Sequence, residues 1–175
     1  LVRVRVVDGR MRAICRQVRH GDMPHDYHEL LLAKDGKGGF RIEDVYFHGS
    51  GRWMSRRLRE MYLRMLAEAD KDLVGKLQGQ EAEFVRALPL LEQFETMDPQ
   101  GPYPEAVELF RALPAALQKD KIYLTHLFMM AVVAGAKEAR AVAEEFSAAY
   151  PNDPCLDLYL LNASNPSTTG EEILA

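Results

Sequence analysis

A pattern that returns after 33 residues constrains this chain more than any other feature. Pro104-Glu105-Ala106-Val107-Glu108-Leu109-Phe110 reappears in altered form as Lys137-Glu138-Ala139-Arg140-Ala141-Val142-Ala143. The apolar positions Ala106, Leu109, Phe110, Leu113 and Leu117 recur as Ala139, Val142, Ala143, Phe146 and Tyr150. Their spacing is helical, and a period of this length belongs to stacked helix hairpins, whose apolar faces are covered only by their neighbours. The pattern specifies an architecture and carries no catalytic chemistry.

The chain ahead of the repeat reads differently. Val2, Val4 and Val6 alternate with Arg3 and Arg5, the period of a half-buried strand, and Asp8-Gly9 is a tight-turn pair. A second strand follows over 10–18, with Met11, Ala13 and Cys15 competing for the inner face. Tyr27 to Ala33 reads as a third strand and Phe40, Ile42, Val45 and Phe47 as a fourth, joined through the glycine-rich stretch 34–39. Links this short allow only antiparallel pairing, so the expectation is a four-stranded meander. The alternation slips near Asp44, and His48-Gly49-Ser50-Gly51 is expected to end the sheet.

A helix is expected to open near Trp53 or Ser55. Met54, Leu58, Met61, Tyr62, Met65 and Leu66 fall on one face, with Arg56, Arg57, Arg59, Glu60 and Arg64 on the other. This helix is the nearest cover for the sheet, because Val4, Val6, Met11 and Phe40 exposed together would aggregate; a homodimer through the sheet is the next. Gly75 and Gly79 mark a boundary between residues 1–74 and 80–175. Beyond it Phe84, Leu88, Leu91 and Phe94 form a stripe, with Pro89 kinking the helix or starting a new one. Two further helices, 122–134 and 138–150, pair through Gly135, and Leu156 to Leu161 begins another. The expected fold is α+β by segregation.

Two stretches resemble known families. Ala139-x3-Ala143-x2-Phe146-x3-Tyr150-Pro151-Asn152-Asp153-Pro154 is similar to the second helix and terminal proline turn of a tetratricopeptide repeat, over residues 104–163 with a less regular unit from residue 81. Phe94 and Leu127 stand where that family places a small residue. The resemblance implies a concave face lined by Lys121, Leu124, Phe128 and Ala131, with Phe128 as an anchor for a protein or peptide. Tyr27-His28-Glu29-Leu30 and Gly39-Phe40-Arg41-Ile42-Glu43-Asp44-Val45-Tyr46 resemble the closing strands of an NTF2-like (SnoaL-type) cone. That resemblance implies a small-molecule binder or enzyme, with His28, Asp44 and Tyr46 in the cone interior, and helices that would close the cone are missing from this chain.

Residue chemistry adds few alternatives. His20, His25, Asp26, His28 and Glu29 have metal-ligand composition, but on a strand His28 and Glu29 point to opposite faces. No metal or cofactor is therefore expected. Glu43, Asp44 and His48 could form an acid–base group, against the plainer reading of a carboxylate bonded to backbone or arginine. Gly36-Lys37-Gly38-Gly39 lacks the helix that phosphate binding requires. A formal net charge of −4 argues against a general nucleic-acid role, although Arg52, Arg56, Arg57, Arg59 and Arg64 with Trp53 and Tyr62 make a basic helix face. No apolar run approaches the roughly 18 residues of a spanning helix. Cys15 and Cys155 make no disulfide framework, Asn162-Ala163-Ser164 is a sequon, and the leaderless start at Leu1 suggests a fragment or processed product without fixing a compartment. The leading expectation is a non-catalytic interaction or scaffolding module acting through its helical repeats; the alternative uses the cone interior.

Overall fold

The protein was described from a computed structural model, which covers residues 1–17, 26–70, 72–151 and 153. The fold is α+β, and the chain divides into two compact units, Leu1–Ala69 and Asp70–Ala175. The expected helix at 156–161, the sequon, Cys155, His20 and His25 lie outside the described residues.

In the first unit five strands run β1 (Arg3–Val7), β2 (Arg10–Gln17), β3 (Asp26–Lys34), β4 (Phe40–Phe47) and β5 (Arg52–Trp53), in that order across one antiparallel sheet. The turn between β1 and β2 sets both Asp8 (φ 51°) and Gly9 (φ 73°) in the left-handed region, the conformation that an Asp-Gly pair accepts at low cost. Asp35 closes the β3–β4 turn by accepting from the amides of Lys37 (2.8 Å) and Gly39 (2.9 Å). Residues 48–51 do not end the sheet. They form a tight return, with the Gly51 amide on the Phe47 carbonyl at 2.8 Å, that pairs Tyr46 with Trp53 and Phe47 with Arg52.

The slip near Asp44 is a real irregularity. Leu31 pairs with Asp44 but Leu32 pairs with Ile42, so Glu43 is an extra residue in β4. Asp44 and Tyr46 consequently share a face with Glu29 and Leu31, while Ile42 falls on the opposite one. Helix α1 (Met54–Ala69) follows and contacts β4 and β5. Asp44 holds its first turn, accepting from the Ser55 amide at 3.1 Å and the Ser55 hydroxyl at 2.5 Å. One of the four orphan amides of the helix start is thereby satisfied from outside the helix. Asp44→Ala should cost about 1 kcal/mol, the usual loss of a capping group, read as a lower urea midpoint with unchanged slope.

The orientation of α1 corrects the sequence expectation. Leu63 is its buried residue, whereas Leu58, Met61, Tyr62 and Met65 are between 51% and 59% exposed. At about 100° per residue, the row Arg56–Glu60–Leu63–Ala67 lies roughly opposite the expected apolar row. Two charges set this choice. Arg52 is buried and donates to Glu60, which also accepts from Arg56 Nε at 3.0 Å. Nor does α1 cover the sheet as expected, since Val4, Val6, Phe40 and Ile42 all remain exposed.

The second unit contains α2 (Leu73–Lys76), α3 (Gly79–Glu95), α4 (Tyr103–Ala112), α5 (Ala115–Gln118), α6 (Lys121–Ala134) and α7 (Ala136–Ala149). Helix α3 runs unbroken through Pro89. Contacts run α3 to α4, α4 to α6 and α6 to α7. Gly135 alone joins α6 to α7, at φ 147°, a backbone conformation that side-chain-bearing residues rarely adopt. Of the residues spaced 33 apart, Ala106 and Ala139, Phe110 and Ala143, Leu113 and Phe146 are all buried, whereas Leu109 and Tyr150 are only half-buried. Phe94, where a small residue was the family's choice, is buried against Phe110 and against His126, whose Nε2 donates to the Phe94 carbonyl at 3.0 Å.

Candidate functional site

The residues expected to line a concave face do not lie on an open surface. Lys121, Leu124, Phe128 and Ala131 are all buried. Lys121, 1% exposed, carries its ammonium to both carboxylate oxygens of Asp153, at 2.9 and 2.7 Å, and 5.8 Å from the Phe146 ring centre. The pair ties the start of α6 to the turn after α7. The exposed row of α6 lies one residue further round the helix, at Ile122, Met129 and Val133. A row shifted by one residue is rotated by about 100°, enough to exchange a buried face for an open one.

Leu124 also reaches a concavity of about 480 Å³, together with Gln118, Lys119, Glu145, Ala148, Ala149 and Tyr150. The side chains of Glu145, Gln118 and Tyr150 are committed to the fold. Arg111 holds Glu145 in a bidentate pair, both bonds 2.7 Å; Gln118 donates to the carbonyls of Arg111 and Leu113; and the Tyr150 hydroxyl donates to the Lys119 carbonyl.

The sheet does not bring His28, Asp44 and Tyr46 together. His28 pairs with Cys15 and Phe47, on the face opposite Tyr46 and Asp44, and its ring meets Phe47 edge-on at 4.7 Å. Tyr46 meets His48 edge-on and Trp53 at a tilt. Asp44 is the carboxylate that starts α1. Burial pushes its pKa up, but the hydrogen bonds from Ser55 and Val45 outweigh this and leave it below the ordinary value. That is the state of a structural anion, and an unsuitable one for a general acid near neutral pH.

The sheet instead builds a cluster around Glu29, which the sequence reading met as a candidate metal ligand, with His48, which it met as a candidate acid–base group. Glu29 is 2% exposed, and its carboxylate accepts from Arg5 and Arg12, each at 3.0 Å. His48 Nε2 stands 3.5 Å away, and the Arg12 guanidinium also lies 5.7 Å from the Trp53 ring centre. Burial raises the Glu29 pKa, and the two arginines lower it by more, so the carboxyl titrates below its ordinary range. The signal was available: antiparallel register places Arg5 opposite Arg12, and Glu29 lies across from Ile14 on that face. Reading it required the register, which one strand's pattern does not contain.

Among the described residues no group of three or more His, Cys, Asp or Glu is arranged to hold a metal, and no helix is long and apolar enough to cross a membrane. The most open feature of chemical interest is α1. Leu58, Met61, Tyr62 and Met65 stand at positions i, i+3, i+4 and i+7, flanked by exposed Arg57 and Arg59. Comparison with protein-family models, with curated proteins and with solved structures returned no match for this chain.

Proposed function

We propose that this protein is a non-catalytic interaction module whose α1 face takes up an acidic amphipathic helix of a partner protein. The reading rests on the exposed row Leu58–Met61–Tyr62–Met65. Contiguous apolar rows of this kind are uncommon on free surfaces and match the spacing of helix-in-groove recognition. Two methionines give the row an adaptable surface. Arg57 and Arg59, one on each flank of the row, favour an acidic occupant, because a second copy of α1 would set arginine against arginine, whereas an acidic helix is complementary. The helical unit, which resembles tetratricopeptide hairpins, supports the same reading with the shorter row Ile122, Met129 and Val133 on α6.

A synthetic helix with leucines at i, i+3, i+4 and i+7 on a glutamate background serves as the probe. Leu58→Asp with Met61→Asp should weaken its binding by tenfold or more, about 1.4 kcal/mol, with stability changed by no more than about 0.5 kcal/mol. Met129→Asp reports the α6 row separately. Undiminished binding by the double variant refutes α1 as the site, and a concentration-dependent dimer lost in that variant would assign the face to a second copy.

A further inference from the structure

Charge is divided unevenly along the chain. Residues 1–69 carry 14 lysines and arginines against 9 acids, while residues 70–175 carry 8 against 17. The net charge of −4 is therefore the sum of a basic strand unit and an acidic helical one, and it conceals the first. Twelve of those 14 basic residues are arginine, whose planar fork suits phosphate geometry.

The register concentrates them. Arg5 pairs with Arg12, Arg3 with Ile14, Val7 with Arg10 and Arg16 with Tyr27. Directly paired residues share a face, so Arg3, Arg5, Arg10, Arg12, Arg16 and Tyr27 all lie on the Glu29 side of the sheet. Arg5 and Arg12 are held by the buried Glu29 carboxylate. Arg3, Arg10 and Arg16 are exposed and make no ion pair with a described residue, and Tyr27 beside Arg16 is 41% exposed.

We propose that this β1–β2 face binds single-stranded nucleic acid. Arg3, Arg10 and Arg16 neutralise backbone phosphates, and Tyr27 supplies a ring on which a base stacks. Glu29 holds Arg5 and Arg12 and offsets part of their charge, so the phosphate contacts fall to Arg3, Arg10 and Arg16. An acidic polypeptide would use the charges, but a single strand sets a planar base beside every phosphate, which matches the arginine next to a tyrosine in this ladder. Arginine with an aromatic platform is the combination that binds single strands without reading sequence.

The test is fluorescence anisotropy of the full chain with labelled oligouridylate and oligothymidylate across a salt series. Three phosphate contacts predict a slope of log K against log salt near about −2, at roughly 0.7 per contact. Single Arg→Gln changes at 3, 10 or 16 should each remove about one contact from that slope, and the triple variant should bind at least tenfold more weakly. Tyr27→Ala should weaken binding while leaving the slope intact. Arg140→Gln, on exposed α7 surface, is the control and should change neither. Circular dichroism of every variant establishes that the fold is retained. Wild-type affinity and slope in a folded triple variant overturn the proposal, as does an absence of oligonucleotide binding at low salt. Tight binding of polyglutamate with no binding of either oligonucleotide would assign the face to an acidic protein instead.

Discussion

Asp153→Ala is expected to destabilise the helical unit by about 3–5 kcal/mol, the usual loss when one member of a buried ion pair is removed. The size follows from what is left behind. Lys121 is 1% exposed and donates to both Asp153 oxygens, so deletion of the carboxylate takes two charge-assisted hydrogen bonds from an ammonium that is packed beside Phe146. Lys121→Met should cost less than Asp153→Ala, because Met keeps the apolar stem in place and the Asp153 side chain, at 9%, is the more exposed member of the pair. Lys121→Met with Asp153→Leu should recover most of the loss, since a well-packed apolar pair is often as stable as the buried ion pair it replaces. Urea unfolding followed by circular dichroism at 222 nm, dominated by the helices, measures all three in a double-mutant cycle. A change under about 0.5 kcal/mol in Asp153→Ala would mean that the pair is not formed in solution.

That pair also shows where sequence reasoning stops. Periodicity located the helices and the meander because backbone period and apolar spacing are local properties, and Asp8-Gly9 announced its turn for the same reason. Lys121 was placed on an open face by the resemblance to tetratricopeptide hairpins, whereas its ammonium is buried against Asp153, 32 positions away, a pairing that no local pattern contains. The α1 row failed through a competition that hydropathy cannot weigh. Burying Leu58, Met61, Tyr62 and Met65 would stabilise by about 1.5–3 kcal/mol per residue at full burial. Turning Glu60 outward would break the buried Arg52–Glu60 pair, at a cost of several kcal/mol, and would remove the Arg56 contact as well. The terms are of similar size, and the observed orientation is the one in which Arg52 is paired. On α6 the helix was legible but its phase was not, because an apolar helix such as Ile122–Ala134 offers no polar stripe to orient it. The arginine ladder escaped notice because its members are paired across strands, and the chain-wide charge averaged it away.

Glu29 yields the second large effect, and it is a pH dependence. Its folded pKa lies below its ordinary value of 4.5, since the hydrogen bonds from Arg12 and Arg5 together outweigh the opposing effect of burial. As pH falls, the unfolded chain therefore takes up this proton before the folded one does. The stabilisation is complete above about pH 4.5 and is lost as pH falls through the folded pKa. Trp53, the single tryptophan, lies over Arg12 beside this cluster, so its fluorescence reports the strand unit. Urea midpoints followed this way from pH 7 down to pH 3 should fall across that window in the wild type. In Glu29→Gln they should start lower, by about 1.5–3 kcal/mol for the lost hydrogen bonds between charged groups, and vary less with pH. The residual slope belongs to Asp44, whose pKa is also depressed and whose ordinary value of 3.8 puts its loss at lower pH. Asp44→Asn in the Glu29→Gln background should flatten it further. His48, 3.5 Å from the Glu29 carboxylate, adds attraction whenever it is protonated, and Asp8, 3.9 Å from Arg12, opposes it weakly from a solvated position. A Glu29→Gln variant with the wild-type acid profile would show that the carboxylate is not paired with Arg5 and Arg12 in solution, and would remove the anchor that holds the arginine ladder in place.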